Sequence, residues 1–195
     1  MAFFAARQPI LDLEKRIFGY ELLFRSGAEN VFPDVDPEKA TSNMIEGLQL
    51  DLGLDKMVAG SLAFINFTEK SILQALPNLL PKKQVVIEIL EDVSPSKSVY
   101  VQLKKLAIEG YILALDDFVH DAAWEPFYKI CQIIKVDCKA ITTLELEKIG
   151  ELKLRHPHIK LLAEKVESYD EFLLYKSKGF ELFQGYFFSK PEMFK

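Results

Sequence analysis

The sequence predicts an α/β protein built as a closed (β/α)8 barrel with one antiparallel strand. Three observations predict it. Short apolar runs rich in β-branched and aromatic residues alternate with segments of helical spacing. The runs are almost wholly apolar, as strands covered on both faces must be. The first two runs are joined only through the polar pair Glu14-Lys15. That connection is too short for a parallel crossover, so these two strands form an antiparallel hairpin.

The elements follow in order. "FFAARQPILDL" and "RIFGYELLF" make the hairpin, and "LAFINF" (62–67), "QVVIEIL" (84–90) and "YILALDD" (111–117) are the next strands. "QIIKVD" (132–137), "IKLLAEKV" (159–166) and "FELFQGYFF" (180–188) complete a set of eight. Helical spacing marks "DPEKATSNMIEGLQLDLGL", which opens on Asp-Pro, and "SPSKSVYVQLKKLAIEG", which opens on a Ser-Pro cap and stops at Gly110. "DAAWEPFYKIC", "TTLELEKIGELKL" and "SYDEFLLYKSKG" share the pattern. Barrels of this kind commonly need about 250 residues, so a chain of 195 requires trimmed helices or loops. An open, doubly wound sheet is the competing architecture, and no Gly-rich phosphate loop supports it.

Composition narrows the function. With 49% hydrophobic and 27% charged residues, the chain can bury one substantial core, and a single domain over 1–195 is expected. A net charge of −5 and a pI near 5.3 offer no basic face for a nucleic-acid polymer or anionic lipid. Cys131 and Cys138 match neither a zinc motif nor a redox pair, which suits a reduced, cytoplasmic setting. No apolar run approaches the ~18–20 residues that span a bilayer.

Polar residues interrupt the apolar strands near their ends. They are Glu21, Asn66, Glu88 with Glu91, and Asp116 with Asp117, then Lys135, Glu164 with Glu167, and Gln184. One carboxylate at a strand end is ordinarily a cap or a solvated rim residue. One such set on nearly every strand is different, because strand C-termini of a barrel converge on a single rim where active sites sit. Carboxylates crowded there repel one another and are costly to desolvate unless a cation neutralises them. Hard oxygen donors without His or Cys favour Mg²⁺ or Mn²⁺. A lysine among them suits proton transfer or the positioning of an attacking water.

The same residues carry a family resemblance. "QPILDLEKRIFGYELLFR" resembles the opening of EAL domains, the phosphodiesterases that linearise cyclic di-GMP, with Glu21-Leu22-Leu23 in place of the E-A-L motif. Asn66, "EILE" as a version of E-x-T-E, "DDF", "IKVD", "LAEKVE" and "FQGYFFSKP" follow in family order to the C-terminus. The resemblance implies that Glu21, Asn66, Glu88, Asp116 and Asp117 hold Mg²⁺ or Mn²⁺. It implies that Lys135 and Glu164, with Gln184, assist the attacking water. It implies further that Arg25 meets a phosphate and that Glu91 anchors the loop after the double aspartate. The wording is closest to EAL domains that precede an HDOD output domain, so the chain is expected to be one such domain excised from a longer protein or a truncated relative. Cyclic di-GMP, an HDOD domain or another signalling protein, and a second copy in a homodimer are the expected partners.

The departures fall together. D-D-F-G-T-G-Y becomes Asp116-Asp117-Phe118-Val119-His120-Asp121, the Thr of E-x-T-E becomes Leu90, and the Gly of A-E-G-V-E becomes Lys165. Lost glycines remove backbone freedom, and Leu90 cannot donate a hydrogen bond. A degenerate domain with weak or no turnover is therefore expected, with an active phosphodiesterase as the alternative. His156 and His158, two apart before a strand, read as a solvated loop at the opposite rim rather than as a metal pair. His120 reads as a surface residue and Trp124 as helix packing.

Overall fold

The computed structural model of the protein describes residues 4–25, 36–48, 53–118 and 121–194. The chain begins with β1 (Phe4–Leu11) and β2 (Ile17–Arg25), paired antiparallel from Phe4↔Arg25 to Leu11↔Ile17. Asp12 sets the turn between them. Its Oδ1 accepts from the backbone N–H groups of Glu14 and Arg16, each at 2.9 Å, and Lys15 takes the left-handed φ of 61° that reverses the chain.

After α1 (Pro37–Gly47) and α2 (Leu54–Val58), strands β3 (Leu62–Phe67), β4 (Val85–Ile89), β5 (Ile112–Leu115), β6 (Ile133–Asp137), β7 (Lys160–Glu164) and β8 (Leu182–Phe183) add in sequence. All run parallel to β2. β1 closes the barrel by pairing with β8 through Leu11↔Phe183, and a ninth strand, β9 (Glu192–Phe194), lies along Ala5–Arg7. The closed eight-stranded barrel with one reversed strand is thus as the sequence predicts, with β9 beyond it.

The crossovers are trimmed as the length requires, and three differ from expectation. The helix expected over 36–54 is two helices, α2 starting after Gly53 at φ 71°. α4 (Lys97–Glu109) is capped by Ser96, whose hydroxyl accepts from Val99 N–H, not by the earlier Ser94. The helix expected over 121–131 is replaced by two 3₁₀ turns, Ala122–Trp124 and Phe127–Lys129. Pro126 between them has no N–H and disfavours helix at the preceding residue. Between β3 and β4, α3 (Glu69–Leu73) and a 3₁₀ turn at Leu76–Leu79 were not legible in the spacing. α5 (Thr143–Arg155) and α6 (Tyr169–Ser177) match their predicted segments and start at Thr142 and Ser168 caps.

Two apolar layers result. The larger lies between barrel and helices, and the smaller plugs the barrel with Ile10, Phe64, Val86, Ala114, Ile133, Leu162 and Leu182. Phe64 fills the plug because Gly19 faces it without a side chain. A Cβ at Gly19 would lie 2.8 Å from both the Phe64 ring and Leu62 O. Gly19→Ala should therefore lower stability by about 1–3 kcal/mol, read as a lower urea midpoint. An unchanged midpoint would show that the plug can yield.

Candidate active site

A β-strand repeats every second residue, so the residue two beyond each plug position also faces the barrel axis. Phe64 is followed in this sense by Asn66, Val86 by Glu88, Ala114 by Asp116, Ile133 by Lys135, Leu162 by Glu164 and Leu182 by Gln184. On β2, Glu21 stands two beyond Gly19. On the reversed β1, Gln8 precedes Ile10 and pairs with Glu21. Parallel register sets the ring in a staggered order: Asn66 is opposite Glu88, whereas Glu21 is opposite Phe64, Glu88 opposite Ala114 and Lys135 opposite Leu162. The polar ring is therefore one more layer of barrel interior, stacked on the apolar plug.

Lys135 occupies its centre and is 1% exposed. Its Nζ lies 2.7 Å from Glu88 Oε1, 2.7 Å from Asp116 Oδ1, 3.1 Å from Glu164 Oε1 and 3.9 Å from Glu21 Oε1. Gln184 Nε2 donates to Glu21 Oε2 at 2.6 Å and to Gln8 Oε1 at 3.2 Å, and Gln8 Nε2 donates to Ser189 O. Glu21, Gln184 and Lys135 are thereby held by one another and by the backbone.

One ammonium does not balance this many carboxylates, and the protonation equilibria record the deficit. Burial raises the Glu88 carboxyl well above its ordinary value; Lys135 opposes this, whereas Glu21 and Asp116 add to it. Burial likewise pushes Glu164 up to about 8; Lys135 opposes this, whereas Asp116, Glu21 and Asp117 add to it. Asp117 is raised by burial and by Asp116. Burial disfavours the Lys135 ammonium, yet Asp116, Glu164, Glu21 and Glu88 together hold its pKa well above the usual lysine range.

Several acceptors in the ring face no donor among the described residues: Asn66 Oδ1, Glu88 Oε2, Glu164 Oε2 and Gln184 Oε1. Glu88 Oε1 meets Lys135 as a close ion pair without hydrogen-bond alignment. Buried oxygens that face no donor are costly, and a hard cation with oxygen ligands relieves that cost. Asp116, Asp117 and Glu164 each bring an oxygen to within 4.8 Å of the others, close enough to share an ion. The donor set suits a hard divalent cation.

The remaining candidates divide. Arg25 ends β2 on the face of Glu21, is 5% exposed, and feels the charges of Glu21 and Tyr186 while burial lowers its pKa. Glu91 lines the mouth of a cavity of about 650 Å³ together with Leu90, Asp116, Asp117, Asp121 and Trp124. Glu167 stands apart from the ring, pairing with Lys139 at 3.1 Å, because the chain has left the strand and turned at Lys165. His156 is packed rather than solvated. Its Nε2 sits 3.2 Å from Glu125 Oε1, and His158 Nε2 sits 3.0 Å from Tyr128 O. Trp124 packs on Phe127 at 4.6 Å, as expected, although on a 3₁₀ turn. Val119 and His120 lie outside the described residues. Sequence reasoning missed Gln8 and Asp137; the signal was present, since Gln8 is opposite Glu21 in the hairpin and Asp137 is two beyond Lys135.

A proton on Glu164 competes with a metal ion for the same oxygens. Metal-free protein retains that proton up to about pH 8, whereas the unfolded carboxyl loses it near 4.5. This contribution to stability is therefore full below about pH 4.5 and is lost as pH rises through 8. EDTA-treated protein should lose thermal stability between pH 6 and 9, and Mn²⁺ should raise the midpoint more at pH 9 than at pH 6. Equal stabilisation at both values would show that no carboxyl of the cluster holds a proton.

The profile of the EAL domain matches residues 64–191. Over 197 residues the chain is 44% identical to the cyclic di-GMP phosphodiesterase CdgJ of Vibrio cholerae, covering 98% of this chain and 45% of that protein. It is 37% identical to the uncharacterized protein YuxH of Bacillus subtilis, covering 99% of this chain and 48% of that one. The chain thus spans about half the length of the curated relatives it matches. A standalone EAL protein from Vibrio cholerae O395, solved with cyclic di-GMP, superposes with a TM-score of 0.68 at 27% identity, covering 98% of this chain and 92% of that one. The Bacillus subtilis YkuI protein, solved with cyclic di-GMP and calcium, shares the fold with a TM-score of 0.74 at 20% identity over 96% of this chain and 54% of that one. The chain belongs to the EAL domain family.

Proposed function

We propose that the chain is a cyclic di-GMP signalling domain that takes Mg²⁺ or Mn²⁺ at its carboxylate rim, binds the dinucleotide there, and hydrolyses it weakly or not at all. The observation that carries this reading is the convergence of Glu21, Glu88, Asp116 and Glu164 on Lys135, with acceptors left over beside them. The metal set is Glu21, Asn66, Glu88, Asp116 and Asp117. A bound divalent ion supplies Lewis-acid polarisation of a phosphoryl oxygen. Around it the chain's own groups act on substrate and water. Arg25 clamps a phosphate, because a guanidinium matches two phosphate oxygens at once. Lys135 keeps its proton at Nζ and, with Glu164, positions a water, and Gln184 fixes Glu21.

Weak turnover follows from where the departures fall. Strand ends hold the ligands rigidly, so binding survives a changed loop. An in-line attack needs the water and phosphorus held within a few tenths of an ångström. Glu91 and Leu90 flank the cavity above Asp116 and Asp117, and Leu90 offers no hydroxyl there. Regulation is then the domain's role, exerted within a longer protein on an HDOD domain or another partner. The alternative, a fully active phosphodiesterase, is favoured by one observation, the completeness of the ring.

Purified protein with Mn²⁺ should bind cyclic di-GMP calorimetrically, and chromatography should detect slow or no linear product. Combining Leu90→Thr, Val119→Gly, His120→Thr and Asp121→Gly should raise the rate at least about tenfold, the scale on which supporting contacts tune metal sites. Multiple turnovers by the unmodified protein that vanish in Glu21→Ala would establish the active enzyme instead.

A further inference from the structure

Lys165 follows Glu164 with a left-handed φ of 56°, a conformation that a lysine rarely adopts. Something must fix it there, and its side chain shows what. The ammonium pairs with Asp137 Oδ2 on the neighbouring strand, and Asp137 is the register partner of Glu164. Asp137 is itself anchored, its Oδ1 accepting from Lys139 N–H at 2.7 Å. The other carboxylates whose fields dominate at Lys165 are Asp117 and Glu164. Two lysines therefore bracket the acidic cluster. Lys135 serves the inner carboxylates of Glu21, Glu88, Asp116 and Glu164, and Lys165 serves the outer edge at Asp137. Among the described residues the cluster still presents unpartnered, more than nine-tenths buried oxygens, Glu88 Oε2 and Glu164 Oε2.

We infer that Lys165 is a resident cation that replaces one of two divalent ions at the rim. A divalent ion on Asp116, Asp117 and Glu164 meets this ammonium on its flank and is repelled. Lys135 meets ligands of both positions, Glu21 and Glu88 as well as Asp116 and Glu164, and so favours neither. Lys165 stands only on the outer side, so an ion on Glu21, Asn66 and Glu88 keeps its ligands. The site binds one ion tightly and a second only weakly. Neutralising position 165 exposes the second site. The inference rests on the metal-binding reading above and specifies its stoichiometry.

Mn²⁺ titration followed by calorimetry and by electron paramagnetic resonance separates the two. The unmodified protein and Lys165→Arg should each bind one tight ion with an uncoupled spectrum. Lys165→Gln and Lys165→Gly should each bind a second ion at least about tenfold more tightly than the unmodified protein does, with spin coupling between the pair. Gln retains the left-handed backbone under a side chain, so agreement between Gln and Gly assigns the effect to charge. A gain in Gly alone assigns it to relieved backbone strain and overturns the inference. Two tight ions in the unmodified protein, or one ion in all four proteins, also overturns it while leaving the metal reading intact. No Mn²⁺ bound by any of the four overturns the metal reading and the inference with it.

Discussion

The rim of this barrel depends on the ammonium of Lys135. Without it, Glu21, Glu88, Asp116 and Glu164 would face one another across the mouth of the barrel with water largely excluded. Breaking a buried ion pair by removing one partner typically costs about 3–5 kcal/mol, and this lysine has several partners. Its placement is also what makes the cluster chemically available. A lysine that fully neutralised its neighbours would leave an inert structural knot. Here burial still raises Glu88 and Glu164 against the pull of Lys135, so the cluster remains short of positive charge. That shortage is the physical content of a metal site.

The lysine can sit there only because the barrel beneath it is closed and dry. Gly19 yields its volume to Phe64 on the plug layer. At the end of β8 the chain passes so near β7 that a Cβ on Gly185 would lie 2.1 Å from Val166 O. That close approach, available only to glycine, lets Gln184 reach Glu21 while its backbone bonds to Val166 N–H and Ala163 O. The positions of Gln184 and Glu21 are consequences of backbone packing two layers deep. Coupling of this kind explains why polar groups at strand ends are held more firmly than those on the loops that follow.

The division between what was legible in the sequence and what was not follows the same line. Strand order, the reversed first strand and the convergence of Glu21, Asn66, Glu88, Asp116, Lys135, Glu164 and Gln184 were readable, because each depends on period-two alternation and on crossover length. Asp137 was within reach by the same alternation, and Gln8 by hairpin register. The crossovers were less legible. Pro126 converts a helical pattern into two 3₁₀ turns, and the short α3 carries too few residues to show a period. Glu167 misled for a related reason. It lies three residues past Glu164, but the turn at Lys165 sends it to Lys139 and away from the ring. His156 gave no sign in its local sequence of the distant Glu125 and Tyr128 that pack it.

The departures from the family's wording sit at 90, 119–121 and 165, each just past a strand that supplies a ring residue. None removes a ring residue. A barrel tolerates this distribution because its register is fixed by the ladder and the plug, neither of which senses the residue after a strand end. Chemistry at the rim does sense it. Leu90 lines the cavity beside Asp116 and Asp117, and Lys165 pairs with Asp137 at the outer edge of the cluster. Substitutions at such positions change charge and closure above a ligand set that the strands keep intact. On the proposed reading, binding draws on the strands and turnover on the residues that follow them.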